Sequence, residues 1–156
     1  MKPEDSIQAK FKKLWIYYII QSLLAAATLF IIISILGEKR MVVASAIGAT
    51  AFIVFALPKS ASAKTRNVIG GHLVGLASGA IFLCIELPFA LECALALALA
   101  IFLMVALDVE HPPAAGTALA VAINEVTIDA FVTILLSALV LSQCRYYLRH
   151  YLKDLV

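Results

Sequence analysis

LWIYYIIQSLLAAATLFIIISILG, residues Leu14 to Gly37, runs without a single Asp, Glu, Lys or Arg. About 20 apolar residues span the hydrocarbon of a bilayer, so this run predicts a membrane crossing. Met41 to Pro58 is equally free of those four residues, and so is Asn67 to Ile85, whose one histidine is His72. Across all 156 residues the chain is 63% hydrophobic and 14% charged, with a mean hydropathy of +1.02. An ordinary soluble domain is roughly 45–50% apolar. The fold class that follows is all-α, a polytopic transmembrane helical bundle integral to a membrane, which in a prokaryote is the inner or plasma membrane.

Three regions are expected. Residues 1–13 form a cytoplasmic or interfacial segment; Ile7 and Phe11 continue into Leu14 and Trp15 at helical spacing beside Lys10, Lys12 and Lys13, as an interfacial helix leading into the first span would. Residues 14–150 form the membrane domain, with Trp15, Tyr17 and Tyr18 at its water boundary. Residues 151–156 form a cytoplasmic tail. The length leaves room for one membrane domain and no attached soluble domain. The apolar run continues past Ala25-Ala26-Ala27, so the first helix reads as a retained signal anchor. A net charge of +2 is too small to suggest nucleic acid, which leaves membrane lipid as the partner expected throughout. Cys84, Cys93 and Cys144 follow no metal spacing and suit small packing positions; no cofactor is expected.

Six apolar segments stand out, at Leu14–Leu36, Met41–Leu57, Asn67–Leu87, Phe89–Leu107, Pro112–Asn124 and Ile128–Leu148. Four are long and two, the second and fifth, are short enough to be broken or half helices. At 1.5 Å per residue the fifth reaches only about 20 Å. If all six cross, ten Lys and Arg lie on the side of both termini and two, Lys39 and Arg40, on the other. If the second and fifth dip in and return, the ratio falls to seven to five. The positive-inside rule favours six crossings with both termini cytoplasmic. Each half then holds a short small-residue segment between two longer ones, and Ala46-Ile47-Gly48-Ala49-Thr50-Ala51 resembles Ala114-Ala115-Gly116-Thr117-Ala118. Three crossings per half would make this a 3+3 inverted repeat.

Polar residues interrupt the apolar sequence at Asp108 to Thr117. Proline is tolerated at the start of a helix, so Pro112-Pro113 marks one. The amides of Ala115, Gly116 and Thr117 would then be partly free to meet an anion, with the Thr117 hydroxyl adding a donor and His111 beside them. A merely rigid His-Pro-Pro turn is the other reading, and both stand. Asp108 and Glu110 could hydrogen-bond the His111 imidazole or take part in proton movement. The Lys59–Asn67 stretch reads either as a topology determinant or, through Arg66 and Asn67, as an anion attractor. His72, about a turn inside the membrane, is either functional or a satisfied packing residue. Gly71, Gly75 and Gly79 share a helix face suited to close packing. Glu86 and Glu92 flank Pro88 in a solvated outer hairpin.

His111-Pro112-Pro113-Ala114-Ala115-Gly116-Thr117-Ala118-Leu119 and Arg66-Asn67-Val68-Ile69-Gly70-Gly71-His72 together resemble the two signatures of the HPP family of integral membrane proteins, over about Gly48 to Leu141. The resemblance implies four transmembrane helices by the family's usual description. It also implies, from plant chloroplast members linked to nitrite, passage of a small monovalent anion. The chain departs from the family pattern at Ala61 and Thr65, where prolines precede Arg-Asn in relatives, and it has no room for the CBS domain that some relatives carry. The expected function is a transporter or channel for a small inorganic anion, nitrite first, and not an enzyme, since His72 and His111 alone are too few ligands for a metal centre. Its substrate-binding residues would be His111, Pro112, Pro113, Gly116, Thr117, Thr50, His72, Asn67 and Arg66. Thr50 and Thr117 would lie on N-terminal helix ends that approach the midplane from opposite sides. A homo-oligomer packed through small-residue faces is expected. The rival is a non-transporting assembly or regulatory protein that docks a partner through its cytoplasmic loops.

Overall fold

The computed structural model describes residues 7–36, 41–124 and 128–156. Six α-helices carry the fold: α1 (Ile7–Leu36), α2 (Met41–Ala56), α3 (Thr65–Phe82), α4 (Phe89–Ala106), α5 (Pro113–Asn124) and α6 (Ile128–Leu148), with a 3-10 turn at Ala61–Ala63 before α3. The described part of 1–13 joins the first span without a break, since α1 is one helix of 30 residues. Four helices are long, with 18 to 30 residues, while α2 has 16 and α5 has 12. Three of the long ones, α1, α4 and α6, are apolar enough throughout to cross a bilayer. α3 differs because Arg66, Asn67 and His72 occupy its first two turns. It lies among α4, α5 and α6, so less of it needs an apolar coat.

Large apolar side chains cover the outside. Ile16, Leu23, Phe30, Phe102, Val105 and Leu136 are exposed, whereas half of the buried apolar residues are alanines, Ala96, Ala100, Ala114 and Ala118 among them. Water would drive the opposite sorting. In lipid the bulk faces the acyl chains and small residues let backbones approach. The glycines of α3 do this against α5: a Cβ on Gly71 would lie 2.6 Å from the His111 Cβ, and one on Gly79 would lie 2.6 Å from the Ala118 carbonyl oxygen. The close packing expected of this glycine face is thus made within the chain, against α5 and the residues that lead into it.

Several contacts gather at one end of the bundle. Gln21, buried in α1, donates to the carbonyls of Phe55 and Lys153, the latter at 2.9 Å, and accepts from the Lys153 amide at 2.8 Å. The Leu155 amide donates to Ala56 at 3.0 Å, and Arg145 Nε donates to the Pro58 carbonyl at 2.7 Å. Residues 151–156 are therefore docked under α1 and α2. The α2–α3 link, the α4–α5 link and the C-terminal segment share this end, as alternating helices require. The helix pairings follow the order that two three-helix halves would give. α1 lies on α2 as α4 lies on α5, and α2 meets α6 as α5 meets α3, while α2–α5 and α3–α6 pair across the halves. Exchanging the two halves reproduces each of these contacts, although α1 leans on α6 far less than α4 does on α3.

Candidate functional site

Where α4 ends, the chain must turn sharply to start α5. The Val109 amide reaches back to the Met104 carbonyl at 2.9 Å and the Asp108 amide to Val105 at 3.2 Å. Asp108 takes φ 55° between them. This is a Schellman stop with aspartate in the left-handed position that glycine usually fills. Val109 then packs against the cluster of Ala100, Met104, Ala114 and Ala118 and stands over Gly70, where an added Cβ would lie 2.8 Å from a Val109 methyl. The α3 residues of the Arg-Asn pair hold this link in place. Arg66 donates to both the side chain and the carbonyl of Asp108, and Asn67, 3% exposed, donates to the Glu110 carbonyl at 3.2 Å.

The link delivers His111 to the interior. Its Nδ1 lies 2.7 Å from the carbonyl of Ser62, at the centre of the Ala61–Ala63 turn. Its Nε2 lies 3.1 Å from the Thr50 hydroxyl of α2. The same hydroxyl is 2.9 Å from His72 Nε2 on α3, and His72 Nδ1 is 2.8 Å from the Thr117 hydroxyl on α5. The imidazole rings tilt past each other with centroids 5.1 Å apart. None of the four side chains is more than 1% exposed. Buried polar groups in an apolar bundle must find partners, and these four find them in one another.

A family model described as HPP, transmembrane region, matches residues 8–151. The chain belongs to the HPP transmembrane family. A transmembrane protein of Dictyostelium discoideum is 35% identical to it over 88 residues, covering 54% of this chain and 31% of the relative. The chain thus spans under a third of the length of that curated relative. No solved structure matches.

Both HPP signatures meet in this site. Of the residues expected to bind substrate, Thr50, His72, His111 and Thr117 form the buried cluster. Pro113 opens α5, Pro112 accepts from the Ala115 amide at 3.1 Å, and Gly116 faces Ala46 of α2. Arg66 and Asn67 secure the α4–α5 link and stay outside the cluster. Four expectations change in detail. The Ala115 amide is bonded within the turn, so α5 has fewer free donors than a bare helix start. Thr50 lies well inside α2, which runs unbroken from Met41, and contributes its hydroxyl rather than a free helix end. Asp108 and Glu110 do not reach the His111 imidazole, whose nitrogens face Ser62 and Thr50. The cluster sits toward the end bearing the α2–α3 and α4–α5 links. Ser62 went unread because a backbone carbonyl has no sequence signature. Ala61 and Thr65 each begin a helical turn, where the family's prolines would also fit. Among the described residues no three His, Cys, Asp or Glu groups converge as metal ligands.

Proposed function

We propose that this HPP protein is a transmembrane transporter or channel for a small monovalent anion, with nitrite the first candidate, and that it performs no enzymatic chemistry. The observation that carries this reading is the buried Thr50–His72–His111–Thr117 cluster. It brings polar groups from α2, α3, α5 and the α4–α5 link to one point inside a membrane protein, beside the N-terminal end of α5. That end of a helix favours negative charge. Arg66 is engaged by Asp108, so the exposed Lys59 and Lys64 are the cations that would concentrate an anion at the mouth. With six crossings, the ten-to-two distribution of Lys and Arg supports cytoplasmic termini. A homo-oligomer would assemble through small-residue faces other than the Gly71–Gly75–Gly79 face, which packs on α5. Crosslinking in lipid that yields monomers alone would exclude it.

The wild-type protein in liposomes is expected to carry nitrite inward faster than empty liposomes. Thr117→Val keeps the shape and removes the hydroxyl, and it should slow the flux about tenfold, the worth of one buried hydrogen bond of roughly 1.4 kcal/mol. An unchanged rate would remove Thr117 from the path. One observation favours the rival: the four side chains satisfy one another, as a purely structural core would. Cysteines at positions 50 and 117 that resist water-soluble thiol reagents, together with no flux, would support the docking protein instead.

A further inference from the structure

The hydrogens of the cluster can be counted. The Ser62 carbonyl has none to give, so His111 Nδ1, 2.7 Å away, carries one. In a neutral imidazole Nε2 is then a bare acceptor. Thr50 owns a single hydroxyl hydrogen and has three partners: the Ala46 carbonyl at 2.9 Å, His72 Nε2 at 2.9 Å and His111 Nε2 at 3.1 Å. Two bare Nε2 atoms would leave one facing an oxygen lone pair. The neutral cluster is consistent in one polarity: Thr117 donates to His72 Nδ1, His72 Nε2–H donates to Thr50, and Thr50 donates to His111 Nε2.

A fifth proton reverses this chain. If it arrives at Thr117, the old Thr117 hydrogen passes to His72 Nδ1, the hydrogen on His72 Nε2 passes to Thr50, and the Thr50 hydrogen passes to His111 Nε2. The new proton stays on Thr117. His111 has become an imidazolium, His72 has changed tautomer, and the Thr117 hydroxyl, which now accepts from His72, is free to donate to an anion. Without the proton that hydrogen is committed to His72.

We propose that the Thr117–His72–Thr50–His111 chain is a proton relay through which the protein takes up a small anion together with one proton, the anion on the Thr117 hydroxyl and the proton on His111. The proposal rests on the anion-transport reading. Either charge alone would be costly inside the bundle, and the opposite charge offsets part of that cost. Among the described residues nothing nearby competes for the role. α2 and α5 bring hydroxyls and no ionisable side chain to His111, and α3 brings His72. Arg66 and Asp108 pair at the surface, 60% and 78% exposed. Glu110 is tied through its carbonyl to Asn67 and is half-buried, and Lys64 is exposed.

Solid-state NMR of the full chain in lipid, with histidine imidazoles labelled in nitrogen-15, reads the chain directly. In neutral buffer the expected forms are Nε2–H on His72 and Nδ1–H on His111. Acidification should protonate His111 and move the His72 hydrogen to Nδ1 in the same step. Sodium nitrite at constant pH should drive the same change, with an affinity that rises about tenfold per pH unit of acidification, the slope for one linked proton. Thr50→Val should leave His72 fixed while His111 titrates, and Thr50→Ser should restore the coupling. A wild-type His72 that keeps its tautomer as His111 titrates would overturn the relay, as would a switch that survives Thr50→Val. Nitrite that crosses the membrane without moving the His72 signals would overturn the relay and leave anion transport standing. Nitrite that neither crosses nor moves them would remove both.

Discussion

Gly75→Ala is expected to lower the unfolding temperature of the protein in lipid or detergent by roughly 5–15 °C, while Gly48→Ala leaves it unchanged or slightly raised. A Cβ on Gly75 would overlap the Ala114 carbonyl oxygen and lie 3.2 Å from the Thr117 Cβ. A backbone carbonyl inside a helix cannot swing away, so α3 and α5 would have to part by about an ångström to reach ordinary contact distance. That separation also lengthens the 2.8 Å contact between His72 and Thr117 beyond hydrogen-bond reach. Overpacking costs about 1–3 kcal/mol and the lost bond about 1 kcal/mol more. At Gly48 the nearest outside atom to an added Cβ is Leu29 Cδ2 at 4.0 Å, and alanine is the better helix former. Equal melting of the wild type and Gly75→Ala would show that the close α3–α5 approach is not what holds the bundle together.

His111 allows its structural and transport roles to be separated. His111→Leu should cost about 1–3 kcal/mol, because the half-buried Ser62 carbonyl and the buried Thr50 hydroxyl both lose a partner. His111→Asn places an amide nitrogen close to where Nδ1 stood, so the Ser62 bond and most of the stability should survive. Neither residue offers an acceptor where Nε2 meets Thr50, so both variants should lose nitrite flux by about tenfold or more. The measurements are thermal melting and liposome flux on the same preparations. An asparagine variant that melts like wild type and also transports like wild type would confine His111 to holding the turn.

Much of the bundle was legible because its signals are local. Charge-free runs marked the helices, Pro112-Pro113 marked the start of α5, and the two small-residue segments marked the short helices. Three segments per half were visible, and the helix pairings keep that order while differing in extent. Thr50 and Thr117 stood out as hydroxyls in Ala/Gly segments, and His72 and His111 as ionisable groups beside apolar runs. Their partnerships were not legible. Thr50 and His111 are 61 residues apart, and His72 and Thr117 are 45 apart. Each residue along a helix turns its side chain by about 100°, so small differences in helix rotation decide whether such groups meet.

The sequence by itself determined that this chain lives in a membrane, roughly where its six helices lie, and which few polar residues it places among them. These follow from composition and periodicity along the chain. Only the tertiary structure decided how those residues are used. It engaged Arg66 with Asp108, gave Asn67 to the Glu110 carbonyl, turned the glycine face of α3 onto α5, and supplied the Ser62 carbonyl that fixes one His111 nitrogen as a donor. The physical reason is that a buried polar group must be satisfied by whatever its neighbours present, and those neighbours are set by helix packing.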